Sequence, residues 1–112
     1  MEPDQNSRPS DDFLLAAYYN SIGSTHGQMG DHAKALPYFL QALEIQQRIL
    51  PDNDVNIAVS YNNIGSVYNN LGESSKARSF FERAVNIGQL SLPANDHELQ
   101  KWKRNLDKTD KP

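Results

Sequence analysis

The sequence contains no cysteine among its 112 residues. Disulfide scaffolds, cysteine-ligated zinc or iron–sulfur sites and thiol catalysis are therefore excluded. It also lacks a run of about 18 apolar residues that could span a bilayer, and its polar, acidic start from Met1 to Asp12 is unlike a secretory signal peptide. From these absences we expect an intracellular, cytoplasmic location and no membrane as a partner.

Complete catalytic and metal-binding motifs are missing as well. The segment from His97 begins like the zinc motif H-E-x-x-H, but Lys101 stands where the second histidine is needed. The segment from Asp52 begins like a calcium loop, but Ile57 stands where the sharp turn needs glycine. A net charge of -3 disfavours nucleic acid as a partner. We therefore predict a protein that is not an enzyme, with no catalytic residues, no metal site and no cofactor.

What the sequence does contain is an internal repeat with a period of 42 residues. Of the 39 residues from 16 to 54, 17 recur unchanged 42 positions later, and the alignment needs no gap. A fixed period of this size is the signature of a repeat architecture. The residues that recur in the second copy include Tyr61-Asn62, Ile64-Gly65-Ser66, Gly72, Lys76-Ala77, Phe81, Ala84 and Leu92-Pro93.

Each repeat is predicted to form two helices joined by a glycine turn. In the second repeat, Gly72 supplies the chain reversal, and Ser74 or Ser75 is placed to cap the following helix. A Leu-Pro pair ends that helix, after which Asn95 or Asp96 offers another cap. The first helix of this repeat carries apolar side chains at spacings of four and three, which is one helical face: Ile57, Tyr61, Ile64, Tyr68 and Leu71.

Small residues recur where two helices must approach closely. A large side chain at such a position would push the helix axes beyond the usual contact distance of about 8–10 Å. Phe39 and Phe81 are the matching large side chains that fill the space between the helices. The small positions are Gly23, Ala35 and Ala42 in the first repeat and Gly65, Ala77 and Ala84 in the second.

This pattern resembles the tetratricopeptide repeat, whose signature is W-x2-L-G-x2-Y, then A-x3-F, a later alanine and a final proline. The first repeat matches at Tyr19, Ile22, Gly23, Ala35, Phe39 and Ala42. The second repeat matches at Tyr61, Ile64, Gly65, Tyr68, Ala77, Phe81 and Ala84. The resemblance implies an all-α fold, a right-handed α-α superhelix of two helix pairs followed by a C-terminal capping helix.

The repeat pattern and the composition of the two ends also set the expected boundaries. The capping helix is expected to turn Leu99, Trp102 and Leu106 inward, as the last element of a repeat array needs a polar outer face. The expected segments are a disordered tail at 1–10, a repeat domain at 11–108 and a frayed tail at 109–112. Within the domain, the first repeat covers about 13–51, the second about 55–93 and the capping helix about 96–108.

The length of the repeat points to a subgroup. The common tetratricopeptide unit has about 34 residues, whereas this one has 42. The chain looks like the kinesin light chain and nephrocystin-3 subgroup in three features. These are Ala42-Leu43-Glu44-Ile45, Tyr61-Asn62-Asn63-Ile64, and Pro37 inside the second helix.

In this family, ligands usually lie as extended peptides along the concave side, which the first helix of each pair lines. Asparagine suits such a ligand because its amide both donates and accepts hydrogen bonds, and lysine or arginine can hold an acidic side chain or a terminal carboxylate. We therefore predict a scaffold that binds an extended, acidic peptide of a protein partner. The predicted groove residues are Asn20, Ser24, Asn62, Ser66, Asn69, Lys101, Arg104 and Lys108.

Two alternatives remain open at this level. Phe13, Leu14, Leu15 and Tyr18 leave an apolar edge on the first repeat, and such an edge favours self-association into a homodimer. The chain would then be a structural, oligomerising element. It would equally fit the C-terminal part of a longer array of the same repeats.

Overall fold

The computed structural model describes residues 9–109, which form five α-helices. In chain order they are α1 (Pro9–Gln28), α2 (His32–Ile49), α3 (Val55–Asn70), α4 (Ser74–Ser91) and α5 (His97–Thr109). α1 pairs with α2 and α3 with α4, while α2 packs on α3 and α4 packs on α5. The prediction of two helix pairs followed by a capping helix is confirmed. None of these helices is both long enough and apolar enough to cross a membrane.

The first helix begins earlier than the sequence suggests. Pro9 and Ser10 fall in the segment 1–10, which is predicted to be disordered, but both are helical. Proline is favoured in the first turn of a helix because its ring fixes a helical φ and the missing N–H would have no partner there. Asp11 and Asp12 then place negative charge beside the positive end of the helix dipole. The expectation of a tail is therefore wrong for these two residues.

The last helix extends one residue further than predicted. Thr109, the first residue of the expected frayed segment 109–112, is helical, and its hydroxyl donates to the carbonyl of Leu106 over 2.7 Å. The remaining residues of the two predicted tails, 1–8 and 110–112, lie outside the described residues.

Both turns within the helix pairs depend on glycine. Gly30 and Gly72 have φ values of 83° and 82°, which L side chains rarely adopt. In each turn the amide after the glycine donates back to a carbonyl of the preceding helix, over 2.8 and 2.9 Å, as in a Schellman ending. The prediction that Ser74 or Ser75 caps α4 is wrong: Glu73 takes the cap position directly after the turn, without a side-chain hydrogen bond.

The connectors between the pairs also share one design. Leu50 and Leu92 are extended, which the proline after each of them enforces. Asp54 then accepts a hydrogen bond of 2.8 Å from the amide two residues on, and Asp96 accepts one of 2.9 Å in the same way. The predicted cap at Asp96 is confirmed, and it fixes the start of α5.

Each helix pair closes by a phenyl ring against a glycine. A Cβ atom on Gly23 would lie 2.8 Å from the ring of Phe39, and one on Gly65 would lie 2.7 Å from the ring of Phe81. Real Cβ atoms essentially never come that close. The predicted small positions at this contact are confirmed, and they are fully buried at Ala35, Ala42, Ala77 and Ala84.

The capping helix packs its large side chains on α4. Leu99 and Trp102 are each 1% exposed, and both contact the position of Gly88, where a Cβ would lie 2.7 Å from Leu99 Cδ1. Leu106 is partly buried against the same core. The inward face predicted for this helix is therefore confirmed.

Candidate functional site

A shallow depression of about 260 Å³ lies between the first helices of the two repeats, at the start of α2. α1 and α3 contact each other along this side of the molecule. The lining contains one histidine and no aspartate, glutamate, lysine or arginine, and it mixes hydroxyl, amide and small groups over an apolar floor. It consists of Ser24, Gly27, Gln28, His32, Phe39, Asn63, Ser66, Val67 and Asn70.

Two of the predicted groove residues meet in this depression. Ser24 on α1 and Ser66 on α3 both line it, together with Gly27, which leaves the depression open because it has no side chain. Ser24 and Ser66 are equivalent positions in the 42-residue register. The structure therefore brings the hydroxyl pair of the two repeats to one surface.

Two other predicted residues make internal hydrogen bonds instead. Asn62 is only 5% exposed, and its Oδ1 accepts a hydrogen bond of 2.9 Å from Nδ2 of Asn105 on α5. Asn20 is half-buried, and its Nδ2 donates to the hydroxyl of Ser60 over 3.4 Å. Because α5 covers Asn62, that amide holds the capping helix on α3 and is not an open groove contact in this structure.

A buried polar network continues from Asn20 into the core. Ser60 is fully buried, and its hydroxyl donates in turn to the side-chain carbonyl of Gln46 on α2. The three side chains therefore join α1, α3 and α2. Buried polar groups that are hydrogen-bonded in this way fix the relative position of the elements that carry them, which here are α1, α2 and α3.

The remaining predicted residues are exposed but do not line the depression. Asn69 lies near the C-terminal end of α3, and the three cations Lys101, Arg104 and Lys108 lie on the outer surface of α5. The ion pairs found within residues 9–109 join Lys76 to Glu73 and Arg78 to Glu82, so they leave those three cations to solvent or to a ligand.

Sequence reasoning missed the amides that do face the depression. These are Gln28 on α1 and Asn63 and Asn70 on α3. On α3 the lining residues 63, 66, 67 and 70 follow the spacing of one helical stripe. A step of three or four residues from Ser66 reaches Asn63 and Asn70, and a step of four from Ser24 reaches Gln28.

Among residues 9–109, the one clear pKa shift lies away from this site. The carboxylate of Glu73 accepts a hydrogen bond from Lys76 Nζ over 3.1 Å, and this bond and its negative charge raise the pKa of the lysine. Both side chains are exposed, so the pair contributes little to stability. It marks the turn between α3 and α4 and has no part in the depression.

Comparison with known proteins agrees with this architecture. The family model of the tetratricopeptide repeat matches residues 13–89, from near the start of α1 to near the end of α4. No curated protein matches the chain closely enough to serve as a relative. Because the matched region holds both helix pairs and covers most of the sequence, the chain belongs to the tetratricopeptide repeat family.

Proposed function

We propose that this protein is an interaction scaffold that binds an extended, acidic peptide of a partner protein across the depression between α1 and α3. Tetratricopeptide repeat domains are generally protein–protein interaction modules, and the family is typically non-catalytic. The observation that carries the proposal is the depression itself, where hydroxyl and amide groups from both repeats share one concave surface.

The lining suits the backbone of an extended peptide. Such a backbone presents both N–H donors and C=O acceptors along its length. The amides of Asn63 and Asn70 can serve both kinds of group, and Ser24 and Ser66 can do so with one hydroxyl each. The small side chain positions, with Gly27 among them, let a backbone approach the helix closely.

The acidic character of the peptide is supported by the charge on the capping helix. Lys101, Arg104 and Lys108 are exposed on α5, and Asn105 of the same helix is hydrogen-bonded to α3. A peptide that leaves the depression along α3 therefore reaches a cationic surface. The likeness to the kinesin light chain subgroup supports the same proposal, because kinesin light chains take acidic peptide motifs.

Titration calorimetry with model peptides tests the proposal. The probes are an acidic peptide with one aromatic residue, a peptide that ends in a free carboxylate, and an amidated copy of the second. We expect at least one acidic probe to bind and the Asn63→Ala, Asn70→Ala double variant to weaken it at least about tenfold, the typical cost of lost hydrogen bonds at a binding site. The matched control is Asn86→Ala, an exposed asparagine on α4.

A second pair of variants separates charge from backbone recognition. Replacing Lys101 and Arg104 by glutamine removes cations from α5, while Lys34→Gln removes an exposed cation from α2. We expect only the first change to weaken an acidic probe, and to do so mainly at low salt. Absence of heat with all three probes, or equal loss with both asparagine variants, contradicts the proposal.

Self-association is a second candidate function, and one observation favours it. Phe13, Leu14, Leu15 and Tyr18 are all exposed on α1, which is more apolar surface than one helix normally leaves to water. Light scattering behind a sizing column, at two loading concentrations tenfold apart, tests this candidate. Molar mass that rises above the 12.6 kDa of one chain supports homodimer formation, and a monomer at both concentrations contradicts it.

A further inference from the structure

The three first helices, α1, α3 and α5, are equivalent in the 42-residue register, but only two of them have a helix packed on their outer face. α3 packs on α2 and α5 packs on α4, whereas no such helix precedes α1 in residues 9–109. Leu15 is 42% exposed, while its counterparts Ile57 and Leu99 are 2% and 1% exposed. The outer face of α1 therefore carries an apolar side chain where α3 and α5 carry one too, but no helix of residues 9–109 packs on it.

A second position of this register shows what the cover must look like. Ser60 of α3 faces the large Gln46 of α2, and Trp102 of α5 faces Gly88 of α4. Gln46 and Gly88 are themselves 42 residues apart, so a small residue on one helix meets a large one on the other. Tyr18 is the large residue at this position of α1 and is 62% exposed. Its mate must offer a small residue, as Gly88 does.

Net charge distinguishes α1 from α5 as a partner for α4. α1 carries the carboxylates of Asp11 and Asp12 and no lysine or arginine. α4 is cationic, with Lys76, Arg78 and Arg83 against Glu82. The capping helix α5, which covers α4, is cationic too, with Lys101, Lys103, Arg104 and Lys108 against Glu98 and Asp107. In the structure α4 is thus covered by α5, a helix with the same sign of charge. α1 carries the opposite charge and would be attracted to α4.

Other covers within this sequence fit less well. The segment 1–8 lies outside the described residues, and Met1 is its one large apolar residue. Two copies of α1 that faced each other through Leu15 and Tyr18 would place large side chains against large ones, and neither helix would bring a lysine or arginine to the four carboxylates. The exposed surface of α5 is charged rather than apolar. The face of α4 around Gly88, which α5 covers in this structure, fits α1 in shape, in apolar character and in charge.

We propose that α1 of one copy packs on α4 of a second copy, in the place that the second copy's own α5 takes in the monomer. Leu15 and Tyr18 then occupy the positions of Leu99 and Trp102 around Gly88. The inference rests on the second candidate function, self-association, and names its geometry: the contact joins two different surfaces, so it is a heterologous contact and not a symmetric one.

A mixing experiment with full-length chains tests the geometry. The first chain carries Trp102→Lys, which loosens α5 and frees α4, together with Tyr18→Lys, which blocks its own α1. The second chain is unaltered, so its α1 is intact and its α4 is covered. We expect the first chain alone to be a monomer, the unaltered chain to associate weakly, and the mixture to form a one-to-one complex at least about tenfold more tightly than either chain alone.

Two further measurements keep the outcome independent of a misfolded variant. Circular dichroism must show that the altered chain keeps its helical content, and Leu106→Lys provides a milder way to loosen α5 because that side chain is only partly buried. An excess of a peptide of residues 95–109, which contains α5, should dissociate the mixed complex because it competes for the same surface of α4. Raising salt from about 0.05 to about 0.5 M should weaken the complex as well.

The results separate the alternatives. A one-to-one complex that the peptide dissociates, together with weak association of the unaltered chain, supports the exchange. An unaltered chain that stays monomeric at every concentration overturns it, whatever the mixture does. If the unaltered chain dimerises through α1 and mixing gives no tighter complex, the exchange is overturned, but self-association remains supported. A helical altered chain that binds no second copy overturns the exchange, while the peptide titrations of the depression are unaffected.

Discussion

The two ends of this array differ in how far they bury equivalent apolar side chains. At the C-terminal end, α5 buries Leu99 and Trp102 on α4 and turns its charges outward. At the N-terminal end, α1 leaves Leu15 and Tyr18, the counterparts of those residues, exposed to solvent. The sequence repeat is the same at both ends, so the difference comes from which neighbour is present. Burial in a repeat protein is a property of the interface between units as much as of one unit.

The first test of this comparison is Trp102→Ala, which should have the largest effect. Trp102 is 1% exposed and fills the space over Gly88, so its removal leaves a cavity as well as losing apolar burial. We expect a loss of about 3–5 kcal/mol in the free energy of unfolding. Urea denaturation followed by circular dichroism measures it, since Trp102 is the single tryptophan and cannot serve as the probe.

The register-matched control is Tyr18→Ala at the other end. Tyr18 is 62% exposed, so most of its ring is already in water and the monomer should lose less than about 1 kcal/mol. The denaturation must be carried out at a concentration where the chain is monomeric. Equal losses for the two variants would show that the ends are equivalent in stability, and the comparison would fail.

A smaller effect is expected from Gly88→Ala, which tests whether the C-terminal end depends on close approach. A Cβ at Gly88 would lie 2.7 Å from Leu99 Cδ1 and 3.1 Å from Trp102 Cε3. The overpacking should exceed the usual gain in helix propensity and leave a net loss of about 1–2 kcal/mol. Gly27→Ala is the control at the N-terminal end, because a Cβ there meets nothing within 4 Å.

The sign of the two glycine effects is the informative result. In α1, Gly27→Ala removes the entropic disadvantage of glycine in a helix and should raise the free energy of unfolding by up to about 1 kcal/mol. The same denaturation assay measures both variants. Stabilisation by both changes would mean that α5 shifts at little cost, and that the fit around Gly88 does not hold the cap in place.

The fold could be predicted from the sequence because its determinants are local and repeated. The positive φ of Gly30 and Gly72 and the contact of Gly65 with Phe81 are visible as residues that recur at one spacing. The start of α1 could not be predicted in the same way. A proline inside a helix usually breaks it, but Pro9 stands at the start of α1. Only the residues that follow a proline decide whether a helix begins there.

The candidate site was harder to predict because neighbouring residues point about 100° apart around a helix. Asn62 and Asn63 look interchangeable in the sequence, yet Asn62 is buried under α5 and Asn63 lines the depression. The family pattern assigns Asn62 to a groove that continues along the array. In this structure α5 packs beside α3, and Asn105 takes the hydrogen bond that an open groove would leave to a ligand.

That hydrogen bond gives the closest comparison of the two ends. Asn62 is 5% exposed and accepts 2.9 Å from Asn105, whereas its counterpart Asn20 is half-buried and donates over 3.4 Å to Ser60. Asn105→Ala leaves the amide oxygen of Asn62 buried without this donor and should cost about 1–2 kcal/mol. Asn20→Ala should cost less than about 1 kcal/mol, because its bond is long and Ser60 keeps its hydrogen bond to Gln46.

A double-mutant cycle of Asn62→Ala and Asn105→Ala separates the bond itself from the other consequences of each change. A coupling of about 0.5–1.5 kcal/mol in urea denaturation is expected for a buried hydrogen bond between neutral groups. If the coupling is near zero while Asn105→Ala opens the depression to the acidic probes, Asn62 belongs to the binding groove after all. If the coupling is present and binding is unchanged, Asn62 is a clamp for the cap, and the ligand surface begins at Asn63.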